Sequence, residues 1–580
     1  NMKSETKNCQ NCKKDFIIEP DDFNFYEKLK VPPPTFCFDC RLKRKLAFFN
    51  ERTLFKRKCD KCSKDIISMY SPKGPYKVFC KNCYNDRNDF LEYGIDYDFS
   101  KTFFEQFFNL FKKVPKRHLV YKSDNENCEY SNHVYHSKNV YLSYTIARSE
   151  DIYYCKEALK GNKVCLDSYN IKDSERGYEL LDVSRIYNSR FLLRSARCID
   201  SAFLFDCMEC NNCFMSHNLR NKSYVFKNEQ FSREEYLGKI KDLSLNSYRI
   251  QEEFKKEFYE MARHSFCRPA FVRAIKNCTG DFIGHSSNTH YSFSNIDTEN
   301  SKYIVFGANT IKDSYDLFNV GRNQNCYELS ETGGDNNNIK FCFGYSTGLN
   351  LDYCTFSKNL TDSFGCTGLV NKQYCILNKQ YTKEEYEKLV PRIIKHMNDM
   401  SYIDSKGRVY KYGEFFPFEF SPFAYNESLA YEEFPMSKKE VEEEGYIWRD
   451  IEEKQYETTI KNDELPDSIN DVTNSILSEI IACPNKGQIE TKCTFAYRIV
   501  PEELRFYKLM KIPLPHYCPN CRYYERKKWK NPWKLWHRSC MCEKESHKHK
   551  GKCQSEFETS YSPDRSEIIY CEQCYQAEVY

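Results

Sequence analysis

Short apolar runs, each closed by Asn, Asp, Ser or Gly, recur through the middle of this chain at a step of about 10–12 residues. Asn139-Val140-Tyr141-Leu142 is followed by Asp151-Ile152-Tyr153-Tyr154 and Lys163-Val164-Cys165-Leu166, with weaker echoes at Ile186, Cys198 and Cys210. A second tract carries aromatics at Tyr303, Tyr315, Tyr327, Phe341, Tyr353, Phe364 and Tyr374. No helical period runs through either tract. A β-rich run plus a turn residue, repeated many times, predicts a parallel β-solenoid. Equivalent residues would stack about 4.8 Å apart, so aromatics would pile on aromatics and Asn amides would bond to one another. Whether one unit is a whole coil or half of one stays open. Cys128, Cys155, Cys165, Cys198, Cys207, Cys210, Cys213, Cys326, Cys342, Cys354, Cys366 and Cys375 fall inside the repeats and read as small buried hydrophobes. A metal or redox site at Cys207/Cys210/Cys213 is the alternative.

Helices interrupt this pattern. Thr102–Phe111 reads as a helix with a Thr102/Glu105 capping box, stopped by Pro115. Asn221-Lys222-Ser223-Tyr224 through Tyr236 recurs at Asn371-Lys372-Gln373-Tyr374 through Tyr386, each copy leading into a helix with its own capping box, Ser232/Glu235 or Thr382/Glu385. The aromatic segment Tyr412–Pro435 has neither period and is expected to wrap a surface. Residues 436–480 are acidic and partly helical.

Both ends carry one cysteine ruler. Cys12 to Cys37 and Cys493 to Cys518 are each 25 positions, Cys40 to Cys59 and Cys521 to Cys540 are each 19, and Cys62 to Cys80 and Cys553 to Cys571 are each 18. Tyr70-Ser71-Pro72 answers Tyr561-Ser562-Pro563. Zinc takes four ligands at tetrahedral corners, and a Cys-x2-Cys knuckle supplies two. Cys9, Cys12, Cys37 and Cys40 then make one site, and Cys59, Cys62, Cys80 and Cys83 another. In the second copy Cys493, Cys518 and Cys521 need Cys483 as a fourth ligand across a longer loop. Cys553, Cys571 and Cys574 take Cys540 or Cys542, and spacing favours Cys540. His547 and His549 read as exposed loop residues, with metal ligation as the lesser alternative. About four structural zinc ions are expected, with no open catalytic position.

The 31 cysteines do not make this a disulfide protein on the sequence evidence. Paired knuckles in a long chain point to metal in a reducing, intracellular setting, read as cytoplasmic. No apolar leader is seen, Asn1 before Met2 resembles a tag remnant, and no run suits a membrane span. The net charge of +4 hides a polarity. Residues 1–90 hold 20 Lys and Arg against 12 Asp and Glu, and residues 483–580 hold 18 against 12, which leaves the middle strongly acidic. Basic stretches follow each second knuckle, at Arg41, Lys43, Arg44 and Lys45, and at Arg522, Arg526, Lys527, Lys528, Trp529 and Lys530. Cations for phosphates and aromatics for unpaired bases would suit non-specific DNA or RNA. Alternatively the aromatics pack a small core and the cations are solvated or pair with the acidic middle.

Cys9-Gln10-Asn11-Cys12, Phe25-Tyr26, Val31-Pro32-Pro33-Pro34 and Cys37-Phe38-Asp39-Cys40-Arg41, echoed by Phe506-Tyr507, Ile512-Pro513-Leu514-Pro515 and Cys518-Pro519-Asn520-Cys521-Arg522, carry a resemblance. They resemble the treble-clef or zinc-ribbon domain, and the whole chain is similar to long zinc-ribbon proteins of small-genome bacteria. The resemblance implies zinc and fold and says little of function.

The fold class expected is mainly β: a duplicated parallel β-solenoid with helical connectors, flanked by two-zinc modules. The modules occupy 1–95 and 481–580, with a capping helix at 96–117, solenoid tracts at 118–230 and 271–380, a helical connector at 231–270, and a helix plus aromatic and acidic segment at 381–480. No phosphate loop, dinucleotide fingerprint or nucleophile elbow is present, and the histidines are scattered. His133 and His136 are expected on opposite faces of a strand. The expected function is a non-catalytic zinc scaffold whose basic modules bind nucleic acid or a protein partner. The alternatives are an assembly protein docking chains through the solenoid surface, and a carbohydrate-active solenoid.

Overall fold

In the computed structural model, which describes residues 3–86, 90–121, 124–307, 309–450 and 456–580, strand outweighs helix. Asn1, read above as a tag remnant, and Met2 lie outside the described residues. Two 13-stranded sheets hold most of the strand, one running from Asn132–Tyr135 to Glu229–Gln230 and one from Val272–Arg273 to Lys379–Gln380. Within each, neighbours are parallel and about twelve residues apart in sequence, apart from the closing hairpin. Leu192 pairs with Leu180 on one side and Leu204 on the other. In the second sheet Thr298–Gly307 and Asp335–Lys340 are joined along two routes, which closes a ring of six parallel strands.

The backbone beneath this register has a period of three. His133, His136, Asn139 and Leu142 all have φ near +50°, and Thr145, Arg148, Asp151 and Tyr154 follow one step later. Each twelve-residue step therefore has four left-handed corners. A non-glycine residue held there pays on the order of 1 kcal/mol. Interlayer hydrogen bonds offset this, because many corner amides reach a carbonyl thirteen residues back, as Asn139 N does to Glu126 O (2.9 Å) and Asp206 N to Leu193 O (3.0 Å). Where one extra residue enters the first tract, Gly161 absorbs it at φ +78°.

The residue after most corners is buried, which explains the small, mixed core. Val134, Val140, Ile146 and Ile152 alternate with Ser137, Ser143, Ser149 and Cys155. The inward hydroxyls are polar but satisfied. Ser143 Oγ donates to Tyr141 O (2.9 Å) and accepts from Cys155 N (3.0 Å). Cys155 Sγ in turn donates to Tyr153 O (3.3 Å). Cys207, Cys210 and Cys213 are buried in this core, and Cys207 Sγ faces the carbonyls of Phe205 and Ser216. Core packing accounts for them. Cys128 alone among the tract cysteines named above is partly open.

Asn and Asp stack along the corners, as expected of repeated turn residues. Asn127 Nδ2 donates to Asn139 Oδ1, Asn139 to Asp151, and Asn338, Asn350 and Asp362 continue the pattern in the second tract. Phe341 stacks 4.8 Å from Tyr353, which lies 5.6 Å from Phe364. Each tract ends in an antiparallel hairpin, Ser223–Phe226 with Glu229–Gln230 and Gln373–Ile376 with Lys379–Gln380. Capping boxes at Ser232/Glu235, Thr382/Glu385 and Thr102/Glu105 start the Arg233–Lys241, Lys383–Asp399 and Phe103–Lys113 helices.

Two expectations need correction. His133 and His136 do not alternate across a flat strand. Both are left-handed corners, His133 buried against Phe49 and His136 half exposed beside Asp124. The Tyr412–Pro435 segment is not laid over a surface either. Phe415, Phe416, Phe418 and Tyr425 are buried in one cluster with the N-terminal module, the Phe103–Lys113 helix and the second tract. Sixteen per cent aromatic residues need such a shared interior, because the inward positions of the first tract are filled by small residues such as Val134, Ser143 and Cys155.

Packing crosses the chain order. The N-terminal module shares its hydrophobic cluster with the second tract, and the C-terminal module shares one with the first. Phe25 stacks 3.8 Å from Tyr315, while Phe506 and Tyr507 pack on Tyr178.

Candidate metal centres

Each terminal module builds two cysteine clusters with one local design. A tight turn presents the first pair in the N-terminal module, Cys9/Cys12 and Cys59/Cys62, and a longer loop separates it in the C-terminal one. The second pair opens a helix, with Cys37, Cys80, Cys518 or Cys571 as its N-cap. Thiolates at helix N-termini are favoured by the exposed amides and the helix dipole. The N-cap amide also donates to the first ligand's sulfur in all four clusters: Cys37 N to Cys9 Sγ (3.3 Å), Cys80 N to Cys59 Sγ (3.2 Å), Cys518 N to Cys483 Sγ (3.4 Å) and Cys571 N to Cys540 Sγ (3.0 Å). Such bonds favour the charged form.

The groups are Cys9/Cys12/Cys37/Cys40, Cys59/Cys62/Cys80/Cys83, Cys483/Cys493/Cys518/Cys521 and Cys540/Cys553/Cys571/Cys574, each with its sulfurs within 4.8 Å of one another. A tetrahedron with metal–sulfur bonds of about 2.3 Å has edges of about 3.8 Å. Cys12–Cys37 is 3.7 Å, Cys62–Cys80 3.8 Å, Cys483–Cys521 3.9 Å and Cys553–Cys571 3.9 Å. All 31 cysteines are free thiols, so none of these contacts is a disulfide. The clusters can hold metal ions, and all sixteen cysteines expected as ligands are in them. Cys540, not Cys542, completes the last one. In the third, the long loop between Cys483 and Cys493 turns Asn485 and Thr491 onto Cys521 Sγ at 3.2 and 3.4 Å.

The expected nucleic-acid residues sit elsewhere than the surface. Arg41, Lys43, Arg44, Lys45, Arg522 and Arg526 are buried, and Lys527, Trp529 and Lys530 are partly buried. Arg41 and Lys45 meet Asp316 and Glu328, Arg44 reaches Glu328 and Glu414, and Lys43 meets Glu444. In the other half Arg522 and Arg526 meet Asp167, Arg526 also meets Glu179, and Lys527 and Lys530 share Glu433. Trp529 stacks on Tyr259 at 4.6 Å. Lys528 alone of the ten is exposed, beside Glu525. The cations thus grip the acidic middle of their own chain, not an open face.

Each basic helix places two cations four residues apart, Arg41 and Lys45 or Arg522 and Arg526, against carboxylates twelve apart, Asp316 and Glu328 or Asp167 and Glu179. One helical turn matches one inter-strand step, since about 5.4 Å of pitch faces about 4.8 Å of strand spacing. Burial works against charge on Arg522, but Asp167, Tyr507 and Glu503 hold its pKa well above the ordinary value. Burial likewise opposes ionised Glu433, and Lys527 and Lys530 outweigh it, holding that carboxyl down to about 2. These acidic partners were missed from sequence. Their signal is the duplication itself, because Asp167/Glu179 and Asp316/Glu328 are equivalent pairs in the two tracts.

A cleft of about 810 Å³ opens between the Tyr248–His264 helix and the C-terminal module. Tyr248 stacks on His516 at 3.5 Å along its wall, and Lys255, Lys528 and Trp529 also line it. Nothing in the sequence marked it.

No family model matches this chain, and no curated protein does. Among solved structures, one described as a "putative acetyltransferase from Desulfovibrio desulfuricans G20" aligns over 46% of this chain and 71% of its own, at 10% identity and a TM-score of 0.10. That likeness carries no argument. No described helix is long and apolar enough to cross a membrane.

Proposed function

We propose that this chain is a non-catalytic scaffold in which four cysteine clusters hold zinc and brace two β-solenoids. One solenoid coil is then the twelve-residue, four-cornered step. The observation that carries this reading is the crosswise insertion of each module's basic helix, Phe38–Ala47 or Pro519–Lys527, into the opposite tract through buried ion pairs. Zinc keeps the knuckles formed, the knuckles aim the basic helices, and the helices cover tract faces that would otherwise expose aromatic rings. A small all-cysteine module has too little core to hold this shape unaided. The assembled surface, including the cleft beside the Tyr248–His264 helix, is what remains for a protein partner.

Nucleic-acid binding is the weaker reading, because nine of its ten expected residues are buried or partly buried and Lys528 is the exception. Fluorescence anisotropy with generic single- and double-stranded DNA and RNA at low salt separates the two. The scaffold reading expects no salt-sensitive binding. Binding that Lys528→Glu abolishes would restore the nucleic-acid reading. Elemental analysis of the purified full chain tests the metal, and the complete absence of zinc would refute the reading.

A further inference from the structure

We propose a fifth metal ion in the last module, bound by Cys542, His547, His549 and Cys574 and joined to its neighbour through a shared Cys574 thiolate. The proposal rests on the reading that the cysteine clusters hold zinc, and adds a site to it. The four donor atoms lie within 4.8 Å of one another, as in the four all-cysteine groups. His547 Nδ1 is 3.1 Å from Cys542 Sγ, and His549 Nε2 is 3.4 Å from Cys574 Sγ. A mixed sulfur–nitrogen tetrahedron around zinc has edges of about 3.6 Å.

The outer nitrogens support the same assignment. His547 Nε2 lies 2.8 Å from Glu578 Oε1, and His549 Nδ1 lies 2.8 Å from Gly551 O. Each acceptor holds the N–H on one ring nitrogen and leaves the other nitrogen's lone pair free to face the thiolates, which is how metal-bound histidines are oriented. Cys542 is fully buried, and the His547 side chain is only 5% exposed. The expectation of exposed loop histidines is thus overturned for both, which are partly buried.

Ligand number fits too. Two tetrahedral ions need eight ligand positions. Cys540, Cys553, Cys571, Cys542, His547 and His549 fill one each, and a bridging Cys574 fills two. The insertion that separates the two modules has a purpose on this view. The N-terminal counterpart spaces its first ligands three apart, Cys59 and Cys62, whereas Cys540 and Cys553 are thirteen apart and the added loop carries the new ligands.

Native mass spectrometry and elemental analysis of the zinc-loaded full chain should find five ions. Four would overturn the proposal and leave the four-cluster reading intact, while none would sink both. The double variant His547→Ala/His549→Ala should lose one ion, and retention of all five would overturn the site. Should that variant lose more through local unfolding, the cobalt(II)-loaded wild type decides. A thiolate-bridged pair couples its spins and loses low-temperature paramagnetic resonance intensity, whereas five uncoupled signals would overturn the bridge. Glu578→Gln, which touches no metal, should weaken the fifth ion about 10–100-fold and leave the other four unchanged.

Discussion

At the scale of single residues, the decisive feature is charge taken out of water with its partner in place. Breaking such a pair leaves one buried charge alone, at a cost of about 3–5 kcal/mol. Arg41 and Arg522 were legible as cations but not as buried ones, because burial depends on a partner hundreds of positions away. His133 shows the opposite solution. Its ring lies 4.8 Å from Phe49, with Nδ1 3.1 Å from Glu331. Burial pushes the imidazole down to about 4 and the Glu331 carboxyl well up, so two neutral groups meet there. An unfolded histidine titrates near pH 6.5. As pH falls the unfolded chain takes that proton first. The contribution of neutral His133 is therefore complete above pH about 6.5 and is lost on falling toward about 4, by about 3 kcal/mol in all. His133→Phe should remove this slope. Urea unfolding of both proteins across that window reads the difference. Parallel curves would show that His133 titrates as if in water.

At the scale of elements, inward Ser and Cys carry the strand tracts as much as the aliphatic residues do. Many of the serines supply an acceptor to the amide one step on. Ser143→Ala should leave the Cys155 amide without a partner and cost about 1–3 kcal/mol. Ser143→Cys should recover part of that loss, since Cys342 Sγ accepts the Cys354 amide at 3.3 Å in the second tract. Shifts in the denaturation midpoint report both, and an Ala variant as stable as wild type would remove the inward acceptor from the account. The repeat step, stacked amides and capping boxes were readable because each depends on residue type at short range. The corners were not. Leu142, Tyr154, Val164 and Phe191 occupy left-handed positions that their side chains disfavour. Hydrogen bonds between layers impose that conformation, and no residue type announces it.

At the scale of the whole molecule, the modules exchange partners across the sequence. The consequence is testable with one substitution. Cys37→Ser should loosen the N-terminal module and, with it, the second tract that its helix covers. Hydrogen exchange should rise across Tyr303–Tyr353, while the core around Ile146–Leu204 of the first tract keeps its protection. Faster exchange in the first tract alone would refute crosswise bracing. The cleft and the mixed Cys542/His547/His549/Cys574 cluster arise at this scale as well, since each forms only when segments from separate elements converge.

The chain's local chemistry was enough to specify the four all-cysteine groups, the repeat step and the helix starts. Knuckles, turn residues and caps act within a few positions, so their physics is written in order along the sequence. Folding alone settled which tract each module covers, where the cations end up and which histidines turn inward. Those outcomes depend on burial, and burial is a property of surfaces that meet only after the chain has crossed itself.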